Sequence, residues 1–232
     1  MIALGVGVAA ACGGGAEATV ILQTANILLN QTVQGGSDDQ FQSINRFDSS
    51  LGTLTQVTFT LTSFSGSVGA GISWTGGEAG GTVAGTVTAT FILNAAGHGT
   101  LFSVGASASP SCTGLPNSAG CTGSDGATMP AISPNPVTFT LPVDLASFTG
   151  TGTFTVHEGL QLSNDPPTDC PTTGTCSFQN VTSSAAGKLE ITYDYTPAPP
   201  PPPAVPVPEP ATLALLGGAL IGLGTRRRLD RR

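Results

Sequence analysis

The chain has 232 residues, a length that suits one domain with appendages. Glycine fills 32 positions and proline 18, while only 9% of residues are charged. This excludes a helix-rich protein and favours short strands joined by turns. An apolar fraction of 39% argues against disorder, which needs low hydrophobicity and high net charge. The formal net charge is −7, yet five of the seven basic residues sit at the extreme C-terminus. Between Thr19 and Pro208, two basic residues (Arg46 and Lys188) stand against eleven acids, a net of −9. Such a body does not suit a nucleic-acid partner, which is held by Lys and Arg on phosphate.

At the N-terminus, Ile2 to Ala11 is almost wholly apolar or small, and Ala16-Glu17-Ala18 is a small-x-small pattern. Residues 1–18 therefore read as a secretory signal peptide cleaved before Thr19. No basic residue precedes Arg46, so the start of that signal is expected to be truncated here. Cys12 follows three alanines but lacks the leucine of a lipoprotein box.

Strand patterning then recurs along the chain with period two. Val57, Phe59 and Leu61 alternate with Thr58, Thr60 and Thr62. Val83, Val87, Phe91 and Leu93 oppose Thr86, Thr88 and Thr90. Val137, Phe139 and Leu141 oppose Thr138 and Thr140, and Phe154 and Val156 oppose Thr153, Thr155 and His157. Leu189, Ile191, Tyr193 and Tyr195 oppose Glu190, Thr192 and Asp194. Each is a strand with one apolar and one wet face, and many such strands bury best as two packed sheets. Residues 19–196 are expected to form an all-β, antiparallel β-sandwich, jelly-roll-like in connectivity. The Gly-, Pro- and Ser-rich segment Ser107 to Pro136 reads as a surface excursion between strands, and Asn164 to Thr175 as a second.

Four cysteines follow Cys12. Cys112 and Cys121 flank one turn-rich loop, and Cys170 and Cys176 another, so sequential pairing is the natural expectation among three possible pairings. A zinc site is the rival reading, but there is no Cys-x-x-Cys. No Gly-x-Ser-x-Gly, His-Glu-x-x-His, phosphate-binding loop or dinucleotide fingerprint is present. His98 reads as an exposed turn residue, and His157 falls on a polar face with Glu158 pointing the other way. Asp38, Asp39, Asp165 and Asp169 could offer calcium oxygens, but solvated loop acids are the better reading. Trp74 is read as core packing near a strand end rather than a sugar platform. No catalytic residue, cofactor or metal ligand is expected.

Residues 197–208 are dominated by proline and read as an extended polyproline spacer, at about 3.1 Å per residue. An apolar stretch of fourteen residues, 211–224, comes next and then Arg226, Arg227, Arg228, Arg231 and Arg232. The stretch is short for a transmembrane helix, which takes about 20 residues. The arginines would hold the tail on the cytoplasmic side and place the body across the membrane.

Val207-Pro208-Glu209-Pro210, the apolar stretch and the terminal arginines together resemble the PEP-CTERM sorting signal of exported Gram-negative bacterial proteins, over residues 207–232. The resemblance implies an exosortase as processing partner and membrane anchoring during transit. It also implies a final place at the cell surface or in an extracellular matrix rich in exopolysaccharide. In the body, Phe47 to Val57 and Ile191 to Tyr195 resemble the choice-of-anchor E domain, which implies no activity and no catalytic residues. The expected function is that of a non-enzymatic surface or matrix protein associated with biofilm exopolysaccharide. The alternative is a module that binds carbohydrate or another repeating surface, ice included. A secreted hydrolase is the third reading.

Overall fold

Alternating apolar residues can be shielded only if each strand lays one face on a second layer. The computed structural model describes residues 7–9, 19–32, 36–76, 80–95, 97–115, 119–131, 137–141, 145–171 and 174–200. These include strands β1 (Gly7–Ala9), β2 (Thr19–Gln31), β3 (Ser37–Asn45), β4 (Gly52–Thr75), β5 (Gly81–Ala95) and β6 (Gly99–Ala108). β7 (Ser111–Gly114), β8 (Gly120–Thr128), β9 (Val137–Leu141), β10 (Thr153–Thr168) and β11 (Thr175–Pro197) complete the set. Two single 3-10 turns, Ser49–Leu51 and Leu145–Phe148, are the helical elements among the described residues.

Six strands form one sheet in the order β1-β2-β11-β4-β8, with β9 also paired to β4. Five form the other in the order β3-β10-β5-β6, with β7 also paired to β5. Every strand pair is antiparallel. The core lies between the sheets. Val57, Phe59, Leu61, Leu189 and Ile191 enter it from the first, and Val87, Phe91, Leu93 and Val156 from the second, all 0% exposed. Phe64 and Phe91 meet with centroids 4.8 Å apart, and Phe148 stands perpendicular to Phe154 at 4.9 Å. The fold is thus an antiparallel β-sandwich.

β4 and β11 are 24 and 23 residues long, well beyond ordinary strands. Their pairing shifts register at three points, the last between Asp194 and Tyr195, and a positive φ accompanies the other two. At one, Ser63 takes φ 54° where the register shifts between Ala186 and Lys188. At another, Asn180 takes φ 50° where the register shifts between Gln179 and Thr182. Bulges of this kind let a non-glycine residue hold a positive φ and let one strand serve two regions of a twisted sheet.

Beyond Val20 to Leu22, which pair with β1, the open side of β2 is joined by side chains to the edge strand β3. Asp38 Oδ2 accepts from the Asn30 amide at 2.8 Å, and Gln40 Oε1 from the Leu28 amide at 3.4 Å. Gln42 Nε2 donates to the Asn26 carbonyl at 2.7 Å. Gln23 closes both backbone groups of Asn45, donating to its carbonyl at 2.8 Å and accepting from its amide at 3.1 Å. Residues two apart on one strand point the same way, so their amides and carboxylate stand in for a missing ladder and protect two edges.

Two expectations are corrected. Ser107 to Pro136 is not a plain excursion, because β7 pairs with β5 and β8 with β4. Edge strands need backbone pairing more than large side chains, so a segment such as GCTGSDGAT can serve. The start of Asn164 to Thr175 likewise belongs to β10. At the end of β11, Pro197 faces Gly52, and the Ala198 amide donates to Leu51 O at 3.0 Å. Residues 7–9, inside the segment read as a signal peptide, pair with Val20 to Leu22. Among the described residues no helix is long and apolar enough to cross a membrane. The stretch 211–224, most of the spacer and the basic tail lie outside the described residues.

Candidate functional site

The sorting residues Val207, Pro208, Glu209 and Pro210 and the five terminal arginines also fall outside the described residues. The cysteines are described. Cys112 is bonded to Cys121 with Cα atoms 5.8 Å apart, and Cys170 to Cys176 at 6.0 Å. Both bridges flank a small second core of Ile72, Trp74, Val83 and Cys112. Trp74 is 0% exposed, so it is a core residue and offers no sugar platform. A side chain at Gly114 or Gly174 would collide with the indole, and so glycine stands at both.

The richest polar cluster lies on the outer face of the five-stranded sheet. β10 presents His157 there because Val156 and Glu158 take the inward positions. His157 Nε2 meets Asp39 Oδ1 at 2.7 Å, and Ser37 Oγ donates to Asp39 Oδ2 at 2.7 Å. The Asn94 amide nitrogen lies 3.2 Å from His157 Nδ1. An amide N–H can only donate, so Nδ1 accepts and Nε2 carries the proton toward Asp39. Hydrogen bonds from Ser37 and then from His157 hold the Asp39 carboxyl below its ordinary value. Phe41 stacks on the His157 ring with centroids 4.7 Å apart and planes 18° apart, yet it is 66% exposed. The diagonal Asp39–His157 bond passes over Gly159, where a Cβ would sit 2.9 Å from Asp39 Oδ1.

Sequence reasoning placed His157 on a polar face but gave Phe41 no role. The signal was present: Phe41 shares its phase with Ser37, Asp39 and Ser43, opposite the inward Gln42 and Ile44. An aromatic out of step with its strand's core side faces water.

Behind this face, Glu158 is 0% exposed. Its Oε2 accepts from Gln42 Nε2 at 3.2 Å, and its Oε1 has no partner among the described residues. Burial pushes its carboxyl up to about 7. Tyr193 is likewise pushed up by burial, and its hydroxyl donates to the Asn45 carbonyl at 2.7 Å.

His98 sits in a turn but is half-buried rather than exposed. Its ring stacks on Phe148 at 4.8 Å, and Nε2 lies 2.9 Å from Ser147 Oγ. The acids weighed as calcium ligands are dispersed. Asp38 and Asp39 serve the bonds above, Asp165 pairs in β10 opposite Thr86, and Asp169 stands in a turn with φ 57°. Among the described residues no three His, Cys, Asp or Glu side chains gather to hold a metal ion.

Residues 206–228 match the family model of the PEP-CTERM protein-sorting motif. That motif implies export, membrane-anchored transit and processing by an exosortase, and so an extracellular or surface protein. No curated protein matches the chain. Among solved structures, a chain of the T13 infectious bursal disease virus particle is 12% identical, with 82% of this chain aligned to 40% of that one at a TM-score of 0.21. A mutant VP2 protein of the same virus, in derived T=1 particles, is 14% identical over 96% of this chain and 53% of its own, also at 0.21. The chain thus spans about half or less of the viral chains it matches.

Proposed function

We propose that the protein is a non-enzymatic, exosortase-sorted β-sandwich of the cell surface or extracellular matrix, associated with exopolysaccharide. The observation that carries this reading is the sorting motif at 206–228, which follows a disulfide-stapled sandwich ending near Ala198. Proline dominates the residues between and suits a stiff spacer. The resemblance of Phe47 to Val57 and Ile191 to Tyr195 to the choice-of-anchor E domain, and a jelly-roll-like connectivity, belong to the same proposal.

A non-enzymatic role is supported by the state of the histidine–carboxylate pair described on the outer face. Both ring nitrogens of His157 are engaged, and the Ser37 hydroxyl donates to Asp39 instead of facing a base. General-base catalysis needs a ring nitrogen directed at a nucleophile.

An ice-facing threonine array is disfavoured by register. Thr24, Glu190, Thr60 and Thr138 lie in one cross-strand row, and Lys188 stands beside Thr62 in the next. Lys188 and Glu190 form an ion pair at 2.7 Å that interrupts the threonines.

Cell fractionation tests the sorting step. The wild-type chain should leave the inner membrane for the surface or medium, whereas E209A, together with P208A and P210A, should stay in the membrane fraction. Equal release of the variant would overturn the proposal.

A further inference from the structure

Three cross-strand rows line the outer face of the five-stranded sheet. They are Ser37–Gln161–Thr90, Asp39–Gly159–Ile92 and Phe41–His157–Asn94, running from β3 through β10 to β5. Rows two residues apart lie about 6.6–6.8 Å from each other. The first row lines a concavity of about 380 Å³ with Gly36, Leu162 and Ser163. Gly159 leaves the middle row low between Phe41 and this hollow. At the far end Phe41, backed by the imidazole, presents an apolar ring that is 66% exposed on an edge strand.

We propose that this face is a binding site for an uncharged polysaccharide, with Phe41 as the stacking platform and Asp39, Asn94, Gln161 and Ser37 as hydroxyl partners. The proposal deepens the surface-protein reading and rests on it for where the polymer is met. A pyranose ring has an apolar C–H face and a rim of hydroxyls, so it needs one flat apolar surface beside donors and acceptors in fixed positions. Asp39 and Asn94 are fixed because each bonds His157, and Asp39 is also fixed by Ser37. Each Asp39 oxygen, having accepted one bond, keeps a lone pair for a sugar hydroxyl. The stacked Phe41–His157 pair costs little ordering on binding, since each ring already limits the other.

Charge selects the polymer. The two basic residues of the body are occupied elsewhere: Lys188 pairs with Glu190, and Arg46 Nε donates to the Thr153 carbonyl at 3.3 Å. No lysine or arginine lines the three rows, and Asp39 stands at their middle. A polyanion would meet a net charge of −9 between Thr19 and Pro208 with no compensating residue here.

Affinity electrophoresis of the full chain in mild detergent tests the site. Native gels would contain hydroxyethylcellulose, dextran or galactomannan, with alginate as the anionic polymer. The wild-type protein should be retarded by at least one of the three uncharged polymers and not by alginate. F41A should weaken that retardation by about tenfold, the scale of a lost aromatic stack. Gly159→Val, which crowds Asp39 away from His157, should weaken it as well. L28A, which removes a 69% exposed side chain from the other sheet, should leave it unchanged. Emission from the buried Trp74 verifies that each variant is folded. No retardation by any uncharged polymer, retardation unaffected by F41A, or retardation by alginate alone would overturn the proposal. None of these outcomes alters the fractionation result, so the sorting reading stands or falls separately.

Discussion

Glu158 shows most plainly how one residue sets a measurable property. It occupies an inward position of β10 and is wholly buried, with Gln42 bonded to one oxygen. Burial disfavours the charged form, which raises its folded pKa from 4.5 to about 7. The unfolded chain ionises first as pH rises. The stability linked to this proton is therefore complete below pH 4.5, falls as pH climbs through the folded value near 7, and is flat above. The loss amounts to about 3 kcal/mol. Urea unfolding of Glu158→Gln should show a gain approaching that size above pH 7 and almost none below pH 4.5. Parallel pH profiles for the two proteins would contradict this. The alternation around Phe154 and Val156 made the outward His157 and inward Glu158 legible in the sequence. Their partners were not, because Asp39 lies 118 residues from His157 and Gln42 lies 116 from Glu158. No local pattern reports a contact of that range.

At the scale of elements, the legible strands were those with large apolar residues strictly in phase, such as the segments around Phe59, Phe91 and Ile191. β2 escaped because its pattern is inverted in places. Gln23 and Gln31 are only 3% and 8% exposed, while Leu28 is 69% exposed. Gln23 is inward because its amide bonds Asn45 of β3, whereas Gln31 Oε1 accepts from the adjacent Thr32 amide at 2.9 Å. Q23A leaves both backbone groups of Asn45 without this partner, and should cost about 1–3 kcal/mol in urea unfolding. Faster hydrogen exchange at the Asn45 amide should accompany it, and an unchanged stability would show that the side-chain seam is idle. β7 and β8 were read as loop since Gly and Ser dominate them, yet each is pinned by Cys112 or Cys121. Opening that bridge with C112S and C121S together should cost about 2–3 kcal/mol in the chain-entropy account. It should also move Trp74 emission toward longer wavelength, because the indole packs in the same small core. A variant with wild-type stability and emission would remove the bridge from the account.

For the whole molecule, fold and address are written in different parts of the chain. The sandwich carries no local signature of its task, since strand alternation specifies burial and not ligand. The tail is legible without structure, because a Pro-Glu-Pro motif, an uncharged stretch and an arginine cluster keep fixed order over 23 matched residues. An acidic body, two loop-closing disulfides and an export signal agree with one another, as disulfides persist where the surroundings are oxidising. The central claim is that an exosortase cuts this chain near Val207 to Pro210 and releases the sandwich to the surface. Intact-mass spectrometry of the protein recovered from its native cell surface tests that most directly. The account predicts a mass that begins near Thr19 and ends within Pro208 to Pro210, with or without an attached group. A surface protein whose mass still includes Arg226 to Arg232 would contradict it.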